Sequence, residues 1–287
     1  MNVQEHISLK GKTTMRIGGT AHYYAELASK QDIEEAARFT SEHKVPLVVL
    51  GGGANTIFAN GEIEALVVRI TANTVQISKS HVTAEAGKNL AMLVNELAEK
   101  NLDLSPLTGI PGSVGGAVFG NAGQGPTSTW IGSFVDSVTV YVDGKWREFS
   151  RKECDFGYRD SVFKRLKAPV IWSAALSVPT RPVAEIKAEI EHLLQKRFKT
   201  QPHTKTAGSC FKAAGNLPAW KLIDAAGLRG LKIGGVEVSD RHANFLLNTG
   251  EATFEDATAI VWKIRNAVKQ PLDVEMRFIQ NNGSTLF

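Results

Sequence analysis

Gly109-Ile-Pro-Gly-Ser-Val-Gly-Gly-Ala-Val-Phe-Gly-Asn-Ala-Gly123 contains six glycines, at positions 109, 112, 115, 116, 120 and 123. Glycine readily adopts positive φ and lets backbone N–H groups come close to a bound anion. No helix or strand requires so many glycines, and the stretch therefore predicts a loop over residues 109–123. Pro111 stiffens this loop, and apolar residues such as Val118 give it a packing surface. We expect a loop held against the rest of the fold, the alternative being a flexible turn between two elements.

A second glycine-rich stretch occurs earlier in the chain. The apolar run 47–50 is typical of a short buried strand, and it leads directly into Gly51-Gly-Gly-Ala-Asn55. Neither stretch has the spacing of the phosphate loop of P-loop NTPases or of the dinucleotide fingerprint between a strand and a helix. We expect both to converge on one extended anion, such as the pyrophosphate of a flavin dinucleotide. Backbone N–H groups would be its main ligands, with Asn55, Ser113 and Asn121 as side-chain donors.

The composition is that of a globular protein, with 287 residues of which 43% are hydrophobic and 22% charged. Lys and Arg exceed Asp and Glu by 33 to 29, a net charge of +4. This excess is too small to indicate nucleic-acid binding, although it suits an acidic small molecule. The first twenty residues lack the apolar segment of a signal peptide, and no run is long enough to cross a bilayer. We predict a cytoplasmic protein without membrane insertion.

The order of predicted elements indicates an α+β protein in two parts, without internal repeats. Amphipathic periodicity and capping residues predict helices over residues 29–42, 90–98, 186–199, 220–226 and 253–268. Apolar runs and alternation predict strands over residues 22–28, 47–50, 64–69, 81–85, 136–142, 145–149, 170–178, 235–238, 244–248 and 272–278. Asp143-Gly144 predicts a hairpin turn. The basic run 196–212, which includes Arg197, could contact phosphates, although cations at a helix C-terminus are also ordinary complements of the helix dipole.

Three polar residues stand in contexts that suggest chemistry. Arg159 lies in the polar segment Tyr158-Arg-Asp-Ser161. Ser209 lies between Gly208 and the apolar pair Cys210-Phe211, and Glu275 lies on the polar face of the last strand. For each of these three residues, a purely structural role is the alternative to a catalytic one. Arg159 would pair with Asp160 at the surface, Ser209 would bond a neighbouring carbonyl, and Glu275 would be an exposed partner of a lysine.

The two cysteines, Cys154 and Cys210, are too few for a disulfide framework or a zinc site, and free thiols fit a reducing compartment. Cys210 with His203 or His242 would make a thiol nucleophile, and the protein would then be an acyl or thiol transferase. The alternative for Cys210 is burial as a small apolar residue.

Eight motifs, in order along nearly the whole chain, together resemble one known family. They are Thr14-Met-Arg-Ile-Gly-Gly19, Leu50-Gly-Gly-Gly-Ala-Asn55, the 109–123 stretch, Tyr158-Arg-Asp-Ser161, Ala207-Gly-Ser-Cys-Phe-Lys212, Lys221-Leu-Ile-Asp-Ala-Ala-Gly227, Val238-Ser-Asp-Arg-His-Ala-Asn-Phe245 and Val274-Glu-Met-Arg-Phe-Ile279. In these motifs the chain resembles the UDP-N-acetylenolpyruvoylglucosamine reductases, in their shorter type without a long insertion after the Arg159 segment.

The resemblance implies an α+β fold with an FAD-binding region of the vanillyl-alcohol-oxidase type and a C-terminal substrate domain. The FAD-binding region would cover residues 1–180, in lobes of about 1–70 and 71–180, and the substrate domain residues 181–287. The last strand would pack back on the FAD-binding region. FAD would be bound non-covalently, and NADPH would supply hydride for reducing the enolpyruvyl group of UDP-N-acetylglucosamine-enolpyruvate to the lactyl ether of UDP-N-acetylmuramate. A monomer is favoured, with no metal.

The resemblance also implies roles for individual residues. Arg159 and Glu275 would stabilise the enolate-like charge on the substrate, with Glu275 acting through its proton, and Ser209 would protonate C2. The predicted cofactor-binding residues are Gly51, Gly52, Gly53, Ala54, Asn55, Pro111, Gly112, Ser113, Gly115, Gly116, Asn121 and Gly123. The predicted substrate-binding residues are Tyr158, Lys205, Lys212 and Arg241.

The sequence departs from the family pattern at three sites. Ala54 stands where serine is usual, which removes one hydroxyl donor to the flavin pyrophosphate. Ala213-Ala214 replaces an Asn-Pro pair that follows the Phe-Lys dipeptide, and Gly120 stands where a bulkier residue is common. None of these departures removes a proposed catalytic group.

Two further functions are compatible with the same residues. One is an FAD-linked oxidase of the same superfamily, in which oxygen reoxidises the flavin. Such enzymes often tether the flavin through His or Cys, and neither residue occurs in 47–60 or 105–124. The other is a non-catalytic nucleotide-binding protein, against which the presence of Arg159, Ser209 and Glu275 argues.

Overall fold

The structure is a computed structural model and describes residues 1–124 and 129–287. Its α-helices are α1 Lys30–His43, α2 Leu90–Ala98, α3 Val114–Phe119, α4 Val183–Thr200, α5 Ala219–Ala225 and α6 Phe254–Ala267. Its strands are β1 Val3–Ser8, β2 Thr20–Leu27, β3 Leu47–Val49, β4 Thr56–Phe58, β5 Glu62–Ile70, β6 Val75–Ser78, β7 His81–Glu85, β8 Val135–Val142, β9 Lys145–Ser150, β10 Val170–Ser177, β11 Thr206–Ser209, β12 Lys232–Ile233, β13 Val236–Val238, β14 Phe245–Asn248 and β15 Arg277–Ile279.

The chain divides into two compact units. Unit 1 comprises Met1–Asn2, Ala25–Gly52 and Val67–Arg197, and unit 2 comprises Val3–Tyr24, Gly53–Leu66 and Phe198–Phe287. Residues 3–24 and 53–66, which the sequence analysis places in the first flavin lobe, thus share a compact unit with the C-terminal residues. The predicted division at about residue 180 stays a prediction. Within the described ranges, no helix has both the length and the apolarity required to cross a bilayer.

Unit 1 contains a five-stranded antiparallel sheet with the strand order β6-β7-β10-β8-β9. Val138, Val140 and Val142 of β8 are buried, whereas the residues between them are partly exposed, which is the alternation of a sheet with one face in the core. Each fully buried side chain of this size contributes about 1.5–3 kcal/mol. Asp143 and Gly144 both have positive φ, 51° and 74°, and the predicted hairpin turn is confirmed.

Helix α3 lies inside the glycine-rich stretch, so the prediction of a loop throughout residues 109–123 is wrong for its centre. The helix begins after Ser113, whose Oγ accepts the Gly116 N–H at 3.3 Å. It packs against β7 and β10. A Cβ on Gly115 would lie only 2.7 Å from the Ala86 Cβ, so the glycine allows this close approach. Tertiary packing here overrides the poor helix propensity of glycine.

Unit 2 contains an antiparallel sheet with the strand order β11-β14-β13-β12, and α6 packs on β12 and β13. The predicted start of α6 is confirmed. Thr253 Oγ1 accepts the Asp256 N–H, and Asp256 Oδ2 accepts the Thr253 N–H, each at 3.1 Å. Ser29 and Asp32 form the same capping box at the start of α1, in unit 1. The apolar face predicted for α6, including Ile260 and Ile264, is buried.

The last strand is shorter than predicted. The sequence predicts a strand over 272–278, whereas the ladder of β15 starts at Arg277 and pairs in parallel with β4, which the sequence analysis leaves out. Leu272, Met276 and Phe278 are nonetheless buried, and Glu275 is only partly so. Val274, which the alternation also places inward, is only partly buried, so the predicted alternation holds at Leu272, Met276 and Phe278 but not at Val274.

Candidate active site

The two glycine-rich stretches meet in unit 1. A Cβ on Gly52 would lie 2.6 Å from the Gly112 Cα, and a Cβ on Gly51 would lie 3.1 Å from the Ser113 Oγ. Packed carbon atoms normally stay about 3.5–4 Å apart. The missing side chain at Gly52 is therefore what lets the two backbones touch. This is the convergence that the sequence predicts.

Backbone N–H groups at this contact are available to a ligand. Within the described residues, the N–H groups of Gly51, Gly52, Gly112 and Ser113 donate no hydrogen bond. The Cβ position of Gly52 lies 3.3 Å from the Ser113 nitrogen, so groups from both stretches lie side by side. Unsatisfied N–H groups in a glycine-rich turn attract anions. The arrangement fits the diphosphate of FAD.

Gly115 and Gly116 differ from these four residues because their N–H groups are already used. Gly115 donates to the Ala86 carbonyl at 2.9 Å, and Gly116 donates to Ser113 Oγ. These two N–H groups therefore donate within the fold, and the predicted contact of Gly115 and Gly116 with the cofactor stays a prediction. Their lack of a side chain serves the packing of α3 instead.

The rest of the first glycine-rich stretch lies in unit 2. Gly53 has a φ of 69°, and a Cβ there would lie 2.2 Å from the Lys12 carbonyl oxygen. Asn55 Nδ2 donates to the Glu275 carbonyl at 3.0 Å. One N–H of this amide thus holds the segment that carries Glu275, a contact that the sequence analysis does not anticipate.

Asn121 is buried, and its side chain joins two segments of unit 1. Its Nδ2 donates to the Gly157 carbonyl at 2.7 Å, and its Oδ1 accepts the Gly132 N–H at 3.0 Å. The sequence analysis makes Asn121 a side-chain donor to the cofactor. In the structure these two bonds fix the turn that presents Arg159, and the contact of Asn121 with the cofactor stays a prediction.

Arg159 lies in a tight turn of unit 1. The Gly157 and Asp160 backbones exchange hydrogen bonds of 3.0 and 3.2 Å, and Arg159 has a φ of 53°, which few residues other than glycine adopt. Its guanidinium carbon lies 5.2 Å from the centre of the Trp130 ring. Asp160 forms an ion pair with Arg165 at 2.5 Å. The partner of Asp160 is therefore Arg165, which weakens the alternative of a surface pair between Arg159 and Asp160.

Arg197, at the end of α4, belongs to the basic run 196–212 and is a candidate site residue that the sequence pattern does not single out. A Cβ on Gly109 would lie 2.6 Å from the Arg197 Cδ, which places this side chain against the second glycine-rich stretch. Burial and, to a lesser degree, the charge of Arg159 lower the pKa of Arg197. No carboxylate in the described ranges pairs with it. Two neighbouring guanidinium groups make an environment that favours an anion.

Ser209 and Glu275 lie on neighbouring segments of unit 2. The Glu275 N–H donates to the Cys210 carbonyl at 2.7 Å, and Phe211 forms a bridge with Val274. Ser209 is half-buried, and its hydroxyl makes no hydrogen bond to any residue that the structure describes. The alternative of a serine bonded to a neighbouring carbonyl is therefore not what the structure shows.

Asn244 fixes the backbone beside Ser209. This buried side chain accepts the Phe211 N–H at 3.0 Å and donates to the Phe211 carbonyl at 2.8 Å, while its own carbonyl accepts the Cys210 N–H at 2.8 Å. The segment that carries Ser209 is thus held from one side by Asn244 and from the other by the Glu275 backbone. Such buried amide pairs rigidify their surroundings.

The predicted substrate-binding residues occupy both units. In unit 1, the ring of Tyr158 is 40% exposed and meets Trp130 edge-on. In unit 2, Lys205 is exposed and Lys212 is half-buried. Arg241 Nη1 donates to the Phe198 and Gln201 carbonyls at 3.1 and 3.3 Å, so its guanidinium fixes the segment after α4. Their contacts with a substrate stay a prediction.

Both cysteines are buried, and burial raises the pKa of Cys154 to about 12 and raises the pKa of Cys210 as well. The imidazoles of His203 and His242 face backbone groups of Phe198 and Asn244. We expect neither thiol to react with a disulfide reagent at pH 8 in the native protein, and both to react in denaturant. Rapid native labelling of Cys210 with loss of activity would restore the thiol-nucleophile hypothesis.

Two family models match separate parts of the chain. The model described as FAD binding domain matches residues 21–149, and the model described as UDP-N-acetylenolpyruvoylglucosamine reductase, C-terminal domain, matches residues 201–278. The predicted fold class, with an FAD-binding region of the vanillyl-alcohol-oxidase type, is confirmed.

Individual relatives extend the match to nearly the whole chain. UDP-N-acetylenolpyruvoylglucosamine reductase from Thermotoga petrophila is 35% identical over 92% of this chain and 93% of its own. The protein of that name from Carboxydothermus hydrogenoformans is 36% identical over 96% of this chain and 91% of its own. The crystal structure of UDP-N-acetylenolpyruvylglucosamine reductase from Thermus caldophilus superposes with a TM-score of 0.86 at 30% identity, covering 97% of this chain and 99% of that one. The chain belongs to the UDP-N-acetylenolpyruvoylglucosamine reductase family.

Proposed function

We propose that the chain reduces the enolpyruvyl group of UDP-N-acetylglucosamine-enolpyruvate to the lactyl ether of UDP-N-acetylmuramate, with NADPH as hydride donor, in peptidoglycan precursor synthesis. The observation that carries this proposal is the pair formed by Ser209 and Glu275. A half-buried hydroxyl without a hydrogen bond lies on a segment joined to the Glu275 backbone at 2.7 Å. A hydroxyl in this state is suited to deliver its proton to a substrate.

FAD, when bound, supplies the hydride transfer between NADPH and the substrate. The N–H groups of Gly51, Gly52, Gly112 and Ser113 would hold its diphosphate. Ala54 adds no hydroxyl there, so the backbone provides the contacts in that turn. Pro111 stiffens the second stretch, and Gly123 supports it by packing.

Arg159 would bind the carboxylate of the enolpyruvyl group. Arginine is a permanent cation whose two parallel N–H groups match a carboxylate, so it stabilises negative charge that spreads from C2 onto that group. Glu275 would share this task through its proton, and Ser209 would protonate C2. A serine hydroxyl is a weak acid, but a carbanion-like carbon is a strong base, and a positioned hydroxyl suffices.

We further propose a cytoplasmic monomer. The two buried free thiols support a reducing compartment. Light scattering checks the monomer, for which the expected mass is 31.1 kDa.

The activity is tested by steady-state NADPH consumption with defined substrates. We expect consumption that depends on the enolpyruvyl UDP-sugar, with a product two hydrogens heavier by mass spectrometry. UDP-N-acetylglucosamine, which lacks the double bond, serves as the control and should not consume NADPH. If NADPH is consumed only with oxygen, the oxidase alternative is correct instead.

Arg197→Met is expected to weaken binding of the anionic substrate. Hydrogen bonds to charged groups are worth about 1.5–3 kcal/mol, which corresponds to a rise of about 10- to 150-fold in KM for the enolpyruvyl UDP-sugar. Arg197→Lys, which keeps the charge, should recover part of the loss. The matched control is Lys199→Met on the same helix end, for which an unchanged KM is expected. Equal effects of the Arg197 and Lys199 variants would contradict a specific role for Arg197.

A further inference from the structure

We propose that Trp130 is a positioning residue that holds the Arg159 guanidinium where the carboxylate of the substrate binds. This inference rests on the proposed role of Arg159 and adds the residue through which that role depends on the fold. Trp130 belongs to none of the sequence motifs described above, and no predicted site includes it.

The Trp130 ring is placed under Arg159 by its own backbone. Gly123 and Trp130 form an isolated bridge, and the Ile131 N–H donates to the Ala122 carbonyl at 2.8 Å. A Cβ on Gly123 would lie 2.3 Å from the Trp130 Cε3, so glycine is required beneath the ring. This contact gives Gly123 of the glycine-rich stretch a specific function.

The same scaffold fixes the turn of Arg159. Asn121 bonds both the Gly157 carbonyl and the Gly132 N–H, and so ties the turn to the segment that begins at Trp130. The left-handed backbone of Arg159 sets the direction of its side chain. One buried amide thus ties together the backbone segments that carry the ring and the guanidinium. The guanidinium carbon lies 5.2 Å from the ring centre, within the range of a cation–π contact.

Electrostatics explains why an aromatic ring suits this position. The positive charge of Arg159 contributes to lowering the pKa of Arg197, so the two guanidinium groups repel each other. A ring face attracts a guanidinium through its quadrupole and carries no negative charge that would neutralise it. Tyr158 meets the same ring at 5.4 Å with planes 82° apart, which buttresses the indole.

The test compares Trp130→Leu with Trp130→Phe in the holoenzyme by stopped-flow spectroscopy. For Trp130→Leu we expect reoxidation of the reduced flavin by the enolpyruvyl UDP-sugar to slow by about 5- to 30-fold, the range of a desolvated cation–π contact. Reduction by NADPH should keep its rate. Trp130→Phe, which retains a ring face, should recover most of the reoxidation rate. If the Trp130→Leu variant does not retain FAD, the same measurements are made on Trp130→Met, which also lacks an aromatic ring.

A double-mutant cycle with Arg159→Met separates this inference from the proposed function. We expect Trp130→Leu to have no further effect in the Arg159→Met background, because the ring acts through the guanidinium. Two outcomes would overturn the inference alone, provided that Arg159→Met slows reoxidation. In one, Trp130→Leu does not slow reoxidation; in the other, Trp130→Leu slows it equally in the unchanged protein and in the Arg159→Met variant. If Arg159→Met has no effect, the proposed role of Arg159 fails, and the inference fails with it.

Discussion

Replacing Ser209 by alanine is expected to lower kcat by about 100- to 10,000-fold, the usual contribution of a positioned general acid. The loss should be confined to the step in which the enolpyruvyl UDP-sugar reoxidises the flavin, because only there is a proton delivered to C2. Flavin reduction by NADPH should be unchanged. Stopped-flow measurement of both half-reactions checks this, and thermal unfolding should show a stable variant since the hydroxyl makes no hydrogen bond within the described residues.

The neighbouring residue provides the control. Cys210→Ala changes a buried side chain next to Ser209, and we expect it to keep both half-reactions close to those of the unchanged protein. A Ser209→Ala variant with full turnover would exclude Ser209 as the proton donor. Negligible turnover in both the Ser209→Ala variant and the unchanged protein would instead favour the alternative of a nucleotide-binding protein.

Gly52→Ala is expected to weaken FAD binding strongly. Its Cβ would lie 2.6 Å from the Gly112 Cα, a backbone atom that cannot move aside like a flexible side chain. Overpacking of this kind costs about 1–3 kcal/mol, and about 1.4 kcal/mol changes an affinity tenfold. Because this overpacking strains the contact between the two glycine-rich stretches, the Kd for FAD should rise about 5- to 150-fold. Flavin fluorescence during titration of the apoprotein measures this.

Gly120→Ala is the matched control in the same glycine-rich stretch. The nearest atom to its Cβ is the Gly116 carbonyl oxygen at 3.6 Å, an ordinary contact, and its φ of −94° suits any residue. We expect its Kd for FAD to stay within about twofold of the starting value, since surface changes away from special contacts are small. Equal losses for both variants would show that close contact between the two stretches is not what binds FAD.

Structural features that depend on residues close together in the sequence were predicted correctly. The capping boxes at Ser29 and Thr253 and the hairpin turn at Asp143-Gly144 were predictable because the residues concerned are neighbours in sequence. The apolar face of α6 followed from helical periodicity. In the site, the convergence of the two glycine-rich stretches was also predictable, because their composition suits close backbone contact.

The features that were missed depend on contacts between distant residues. Helix α3 forms although glycine disfavours helices, because Ser113 caps it and Gly115 lets it pack closely against Ala86. The sequence does not separate Arg197 from the other cations of the basic run 196–212, yet its side chain lies against Gly109, almost ninety residues earlier. Nothing in the sequence around Trp130 indicates that its ring lies over Arg159. Such pairings arise from tertiary packing, which a local pattern does not contain.

The central claim is that the chain passes hydride from NADPH through bound FAD to an enolpyruvyl UDP-sugar. The most direct test is the absorption spectrum of the purified protein, mixed with NADPH without oxygen and then with that sugar. We expect flavin bands that bleach with NADPH and return when the sugar is added. Bands that return only with oxygen would contradict the proposed reductase activity. A protein unable to take up FAD would contradict the proposed diphosphate site formed by the N–H groups of Gly51, Gly52, Gly112 and Ser113.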